Sequence, residues 1–287
     1  MTRRRLDAEL VRRHLAESRT VAQQLIASGR VTVAGMTATK PATQVEDSVA
    51  LEVVAAPEQD WVSRGAHKLL GALDAFEGIL PPLDGQRCLD AGASTGGFTE
   101  VLLSRGVQSV VAVDVGYGQL AWKLREDPRV EVFERTNIRH LTPEQVLSES
   151  GAAPTLVVSD LSFISLTKVI DNLARCAPDA LQVLMVKPQF EVGKGRVGPG
   201  GVVRDPELRI EAVTQVAEFA EGVGLHVVGV APSPLPGPAG NVEYFLALAP
   251  DTVVKDGALT PINGSDLAEA IRAAVENGPQ EGIESTQ

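Results

Sequence analysis

The sequence of 287 residues predicts an α/β protein: a mostly parallel sheet with helices on both faces and an antiparallel strand at its edge, preceded by a small α+β module. Three observations predict it. After residue 62, strand-like and helix-like segments alternate, the pattern of a parallel sheet with helical crossovers. Residues 1–55 instead change periodicity every few residues, as a small mixed module does. Between the two, residues 56–62 contain Pro57 and a run of polar residues that break both periodicities, so they read as a linker.

Within the module, "RLDAELVRRHLA" places Leu6, Leu10 and Leu15 near one helical face, and "SRTVAQQLIASG" repeats the pattern with Val21, Leu25 and Ile26. Ser18 suits the N-cap of the second helix and Gly29 the position just past its end. "RVTVAG" and "SVALEV" alternate as half-buried strands do. Arg3, Arg5, Arg19 and Lys40 flank these elements, where a solvated polar face or a polyanion contact would explain them.

Beyond the linker the strand candidates are residues 87–91, 110–113, 130–133, 156–159, 181–186, 225–230 and 244–248, with helical patterns between most of them. The last two are joined only by "APSPLPGPAGNVE" and are expected to form an antiparallel pair at the sheet edge. Residues 63–250 thus read as one domain. Residues 251–287 read as a tail with one helix, over 266–275, and a polar end.

The net charge of −11 argues against a generally basic nucleic-acid binder, but its distribution is uneven. Residues 1–40 hold eight Lys/Arg against three Asp/Glu, residues 41–250 hold 16 against 27, and residues 251–287 two against seven. A basic module on an acidic chain suggests local contact with a polyanion. The two cysteines, Cys88 and Cys176, provide neither a disulfide framework nor metal-ligand spacing, which suits a reducing cytoplasm. No apolar run approaches the roughly 20 residues that span a bilayer, and no apolar segment follows the basic start as a signal peptide would require.

"CLDAGASTGGFTEVLL" is a strand, a glycine-rich turn and a helix. Gly92, Gly96 and Gly97 let the backbone turn sharply and approach a ligand. The spacing is neither that of a dinucleotide fold nor that of a triphosphate loop. Asp90 precedes the turn, and Asp114 closes the next strand, where a carboxylate can accept both ribose hydroxyls of an adenosyl ligand. This arrangement, with Ser94 and Thr95 in the turn, resembles the S-adenosylmethionine site of Rossmann-like class I methyltransferases.

Several methyl-transfer chemistries can be told apart by residue type. Methylation of a base amine commonly uses an Asn/Asp-Pro-Pro-Tyr/Phe motif after the fourth strand, where this chain has "DLSF". Carbon-5 methylation of pyrimidines needs a cysteine nucleophile, and neither cysteine stands at a strand end facing a cleft. What remains is a charged set. Asp160 ends one apolar strand, Lys187 ends "LQVLMV", Glu243 opens the last strand, and Lys68 lies upstream in "SRGAHKL". A lysine inside a core would lose its water at a cost of several kcal/mol, so Lys187 is expected in a cleft at the strand end.

The order Lys68, Asp160, Lys187, Glu243 looks like the tetrad of the FtsJ-type ribose 2′-O-methyltransferases. The first module resembles the αL-type RNA-binding domain of RNA-modifying enzymes. Together with "DAGASTGGFTE", "DVGYGQLAWKLR", "DLSFISL", "KPQFEVGKG" and "GNVEYF", the chain closely resembles the TlyA family. The resemblance covers residues 3–250. It implies an S-adenosylmethionine-dependent rRNA cytidine 2′-O-methyltransferase that acts on ribosomal subunits in the cytoplasm. It further implies no metal, no DNA partner and no membrane partner, and a monomer is expected. A free lysine is protonated near neutral pH. Lys68 would favour a neutral Lys187 and Asp160 would oppose it; Lys187 is read as the proton acceptor, with Lys68 steadying the alkoxide. Arg64, Arg135, Lys194 and Arg196 are candidates for phosphate contacts, the last two on a glycine-rich loop expected to be mobile. The resemblance also implies an adenine contact from Asn137. The competing readings are a membrane-lysing haemolysin, the historical label of the family, and a non-catalytic assembly factor.

Overall fold

Strands buried on both faces must be apolar throughout, and this requirement sets the architecture of most of the chain. The computed structural model describes residues 3–13, 15, 16, 18–27, 31–38, 40–46, 48–53 and 61–279. They divide into two compact units, Met1–Asp60 and Trp61–Gln287. Residues 56–60 of the expected linker, and Gly29 at the proposed helix end, lie outside the described residues.

The first unit runs β1 (Arg3–Arg5), α1 (Leu6–Arg12), α2 (Arg19–Ala27), β2 (Val31–Val33), β3 (Met36–Thr37), β4 (Gln44–Glu46) and β5 (Leu51–Val53). β1 pairs with β4, and β2 with β3 and β5, all antiparallel. Leu6, Leu10, Ala22, Ile26, Val31, Val45 and Leu51 form its core. The Ser18 hydroxyl accepts from the Val21 N–H at 3.2 Å, as its N-cap position predicts. Leu15 lies past the end of α1, yet still packs on this core.

Two acids on α1 are fully buried, Asp7 and Glu9. Buried charges persist only when paired and hydrogen-bonded. Asp7 accepts from Arg5 Nε at 3.1 Å, from Arg19 at 2.9 Å and from Gln23 at 3.0 Å. Glu9 accepts from Arg12 Nε at 2.8 Å and Arg13 Nε at 2.7 Å. The Arg5 hydrogen bond holds the Asp7 carboxyl far below the usual range, and Arg12 brings Glu9 down to about 2. Arg5 and Arg19, read from the sequence as flanking charges, are therefore partners of a buried carboxylate.

The second unit contains α3 (Gly65–Ala75), β6 (Arg87–Ala91), α4 (Gly97–Ser104), β7 (Ser109–Val113), α5 (Trp122–Arg125), β8 (Val130–Phe133), α6 (Pro143–Val146), β9 (Leu156–Ser159), α7 (Ile170–Cys176), β10 (Leu181–Val186), α8 (Pro188–Glu191), α9 (Pro206–Gly222), β11 (Leu225–Pro232), β12 (Tyr244–Pro250), α10 (Asp251–Lys255) and α11 (Gly264–Glu276). Seven strands form one sheet in the order β11-β12-β10-β9-β6-β7-β8. Leu89, Val111, Val157 and Leu184 point to one face, under α7, α9 and α11, while Cys88, Val110, Val158 and Val183 point to the other, under α3 and α4.

β12 is the reversed strand. It pairs antiparallel with both β10 and β11, so the outermost strand, β11, runs with the parallel set. The cause is chain connectivity. β10 reaches β11 through the crossover helix α9, whereas β11 reaches β12 through a short proline-rich loop that permits only a hairpin. α11 is more than a tail, since its Ile271, Ala274 and Val275 are buried in the core with Val242 and Tyr244. Among the described residues no helix is long and apolar enough to cross a membrane.

Helix α3 touches the hairpin loop at Gly71, where an added Cβ would meet Pro234 Cγ at 2.6 Å and Cδ at 2.8 Å. Gly71→Ala normally favours a helix by about 1 kcal/mol. Here it is expected to destabilise the chain by roughly 1–3 kcal/mol through overpacking. Urea denaturation of the two proteins checks this; an unchanged or raised midpoint would show that the helix and loop have room to separate.

Candidate active site

The parallel strands end at one edge of the sheet, and ligand clefts in such sheets lie just beyond that edge. Ser159 is level with Leu184 and with Ala91, so Asp160, Lys187 and Gly92 leave their strands side by side. Because β12 is reversed, its first residue, Tyr244, is level with Val186, the last residue of β10. Glu243 therefore arrives at the same edge from the opposite chain direction. Lys68 comes from the first turns of α3, which press against the glycine turn: a Cβ at Gly97 would lie 2.9 Å from the Ala66 nitrogen. Glycine at 97 is what lets α3 come so near.

Glu243 is buried against Lys68, and Lys68, Gly92, Gly97, Asp160 and Lys187 line a cleft of about 280 Å³. Its walls include Ser63, Arg64, Lys68, Gly92, Ser94, Thr95, Gly97, Asp160, Ser162, Lys187, Leu235 and Pro236. Two ion pairs bring their lysines to it. Lys68 Nζ donates to Glu243 Oε2 at 2.5 Å, and Lys187 Nζ lies 2.6 Å from Asp160 Oδ1. Lys68 and Lys187 are each 7% exposed and Glu243 is 1% exposed, so each charge is stable there through its partner. Asp160 Oδ1 has no hydrogen-bond partner. Charge rather than alignment thus holds that pair, and the aligned bond from Lys187 goes to the Ser162 hydroxyl at 2.9 Å.

The glycine turn lies at one side of the cleft. Gly92 has φ +94° and packs so tightly that a Cβ would lie 3.2 Å from the Asp160 carbonyl oxygen. Gly96, at φ +99°, lies against Leu120, which a Cβ would meet at 2.8 Å. The Asp114 carboxylate accepts from the Ser94 N–H at 2.8 Å and the Gly116 N–H at 2.6 Å, fixing the turn to the end of β7. The glycines give a ligand close access to backbone, and Asp114 sets an acceptor in a small neighbouring hollow lined also by Ala93, Ser94 and Gln119. This donor and acceptor set fits a cationic adenosyl ligand.

Other residues singled out in the sequence sit elsewhere. Asp90 is fully buried behind the turn and accepts from the Thr99 hydroxyl at 2.7 Å. Asn137 caps a short turn by accepting from the Arg139 N–H at 3.0 Å. Arg135, at φ +52°, stacks its guanidinium 4.2 Å from the Tyr117 ring centre. Arg196 pairs with Glu211 at 2.6 Å. The glycine-rich loop is tied at its far end by Asn241, which accepts from Val203 N–H at 2.9 Å and donates to the Gly201 carbonyl at 2.9 Å. Lys40 is exposed, whereas the side chains of Arg3 and Lys194 lie outside the described residues. Sequence reasoning missed Ser162, whose one signal was its place two residues after a strand-end acid. It also missed the wall formed by Leu235 and Pro236.

Burial pushes the Asp90 carboxyl up to about 7 from 3.8. The folded chain thus holds a proton that the unfolded chain releases in this window, so this group makes the fold less stable as pH rises from 3.8 to about 7. Asp90→Asn mimics the protonated acid. Its urea midpoint is expected to gain on the unsubstituted protein between about pH 4 and about pH 8. A constant difference across that range would place the titration elsewhere.

Comparison with known proteins identifies the family of both units. The FtsJ-like methyltransferase family matches residues 61–250, and the S4 domain matches residues 4–49. The 16S/23S rRNA (cytidine-2′-O)-methyltransferase TlyA of Mycobacterium tuberculosis is 59% identical over 278 residues, covering 96% of this chain and 99% of the relative. Hemolysin A of Brachyspira hyodysenteriae is 38% identical over 84% of this chain and 98% of its own length. A solved structure of a candidate hemolysin from Streptococcus thermophilus superposes with a TM-score of 0.68 at 34% identity, covering 96% of this chain and 95% of that one. With both units matched and nearly the whole length shared, the chain belongs to the TlyA family of FtsJ-like methyltransferases.

Proposed function

We propose that this methyltransferase modifies the 2′-hydroxyl of cytidine in ribosomal RNA, using S-adenosylmethionine, in the cytoplasm. The observation that carries the reading is the pair of lysine–carboxylate contacts, Lys68–Glu243 and Lys187–Asp160, whose two lysines line one cleft beside the glycine turn. S-adenosylmethionine, when bound, supplies a methyl group already activated by its sulfonium charge. Gly92, Ser94, Thr95, Gly97 and Asp114 would hold it, with Gly96 and Asp90 supporting the turn from behind.

A sugar hydroxyl is a weak nucleophile, so the protein must orient it and take its proton. Lys187, in its neutral form, takes that proton and becomes the ammonium that Asp160 then pairs with. Lys68 steadies the charge that grows on the oxygen, and Asp160 and Glu243 keep the two lysines in place. The thiols support no alternative nucleophile: burial raises Cys88 to about 12 and Cys176 to about 11, leaving both unreactive. Residues 63–250 carry the chemistry in this reading, and residues 1–55, across the linker at 56–62, carry RNA contact. Lys40, Arg64 and Arg135 are the phosphate or base contacts we favour, and Arg3 and Lys194 stay candidates on their sequence positions alone. Arg5, Arg19 and Arg196 contribute field more than direct contact, because each already has a carboxylate partner.

Two experiments follow. Lys187→Ala is expected to lower methyl transfer from labelled S-adenosylmethionine to ribosomal subunits by about 10² to 10⁴ while cofactor affinity stays nearly constant. Turnover near that of the unsubstituted protein would remove Lys187 from the chemistry. In the first unit, Lys40→Ala is expected to weaken subunit binding and reduce its salt slope by about one, with an unchanged melting temperature. Arg5→Ala should instead lower the melting temperature, because it strips a partner from buried Asp7. Filter binding at several salt concentrations, with thermal melts alongside, separates the two; equal effects from both variants would contradict the division.

A further inference from the structure

We propose that Ser162 is a positioning residue for the transfer step, aiming the Lys187 nitrogen at the sugar hydroxyl; this rests on the function proposed above. An ammonium has three N–H directions, and the neutral amine that accepts a proton has two and a lone pair. The flexible stem of a lysine does not choose among them. Here the neighbours choose. One N–H donates to the Ser162 hydroxyl at 2.9 Å. Asp160 occupies a second side at 2.6 Å but accepts no aligned bond, so it attracts the nitrogen without orienting it. The remaining direction is left for the cleft that Lys187 and Ser162 both line.

The segment that carries Ser162 is held as such a role requires. Phe163, the next residue, adopts φ +65°, a costly conformation for a side chain of that size. A few residues on, the Glu191 carboxylate accepts from the Ser165 hydroxyl at 2.5 Å and from the Leu166 N–H at 2.9 Å. Glu191 closes α8, the helix that starts directly after Lys187. The Ser162 segment and the Lys187 turn are thereby fastened to each other at two points, one of them a largely buried carboxylate that the proposed chemistry does not use.

The test uses the full chain with Ser162→Ala and Ser162→Thr, beside Lys187→Ala. Ser162→Ala should lower kcat by about tenfold to a hundredfold with little change in KM for the subunits or in cofactor affinity, the size expected when a catalytic group is misaimed. Ser162→Thr keeps the hydroxyl and should recover most of the loss. The independent readout is reductive methylation of Lys187 by formaldehyde and cyanoborohydride, followed by peptide mass spectrometry. It should quicken several-fold in Ser162→Ala and stay slow in Ser162→Thr. An unchanged labelling rate in Ser162→Ala overturns the inference whatever the turnover, as does turnover within about twofold of the unsubstituted protein. Full activity of Lys187→Ala would overturn the function reading instead, and the labelling result would still report on what Ser162 does to Lys187.

Discussion

The reversal of β12 is the constraint on which the site depends. In an all-parallel sheet, every strand delivers its last residue to the ligand edge. A reversed strand delivers its first, and so Glu243, ahead of Tyr244, joins Asp160 and Lys187, which follow their strands. The hairpin loop that forces the reversal also forms one wall of the cleft through Leu235 and Pro236. Connectivity, wall and the placement of the Glu243 carboxylate thus share one cause. The proline-rich loop is too short for a crossover helix, and the strand after it has only one way to pair.

Charge pairing then explains how charged side chains can sit so deep beside the cleft. Lys68 and Glu243, 175 positions apart in the chain, are both nearly buried. Neither would remain charged there alone, because desolvation of an unpaired ion is far larger than the stability of a domain allows. The same principle governs the first unit, where buried Asp7 and Glu9 gather arginines from β1, α1 and α2. A basic module therefore has two uses for its cations. Some hold the fold together, and others face solvent, as Lys40 does, where a phosphate can reach them.

How much of this was legible in the sequence follows from what each feature requires. Strands such as β7, β9, β10 and β12 were legible because burial on both faces leaves largely apolar runs, and the observed strands fall on those runs. Lys187 was legible for the related reason that a charge closing such a run must meet a cleft. β1, β3 and β4 were not, since two or three residues carry no periodicity. Nothing in the sequence pattern singles out Asp7 and Glu9. Their burial depends on arginines brought together by tertiary contact, and Arg19 is twelve positions from Asp7. Asn137 and Arg196 have local partners, an amide two residues on and a glutamate on α9, that a linear reading does not reveal. Ser162 was missed because its one signal, a place two residues after Asp160, is weak until its lysine partner is placed beside it.

The measurement closest to the central claim is the identity of the methylated nucleoside. Ribosomal subunits lacking the modification, treated with this protein and labelled S-adenosylmethionine, would be digested to nucleosides and resolved by mass spectrometry. A cleft built from two lysine–carboxylate pairs, with no reactive thiol, should yield 2′-O-methylcytidine. Label on the base of a nucleoside, whether carbon-5 or an exocyclic amine, would contradict the claim that these lysines handle a sugar hydroxyl.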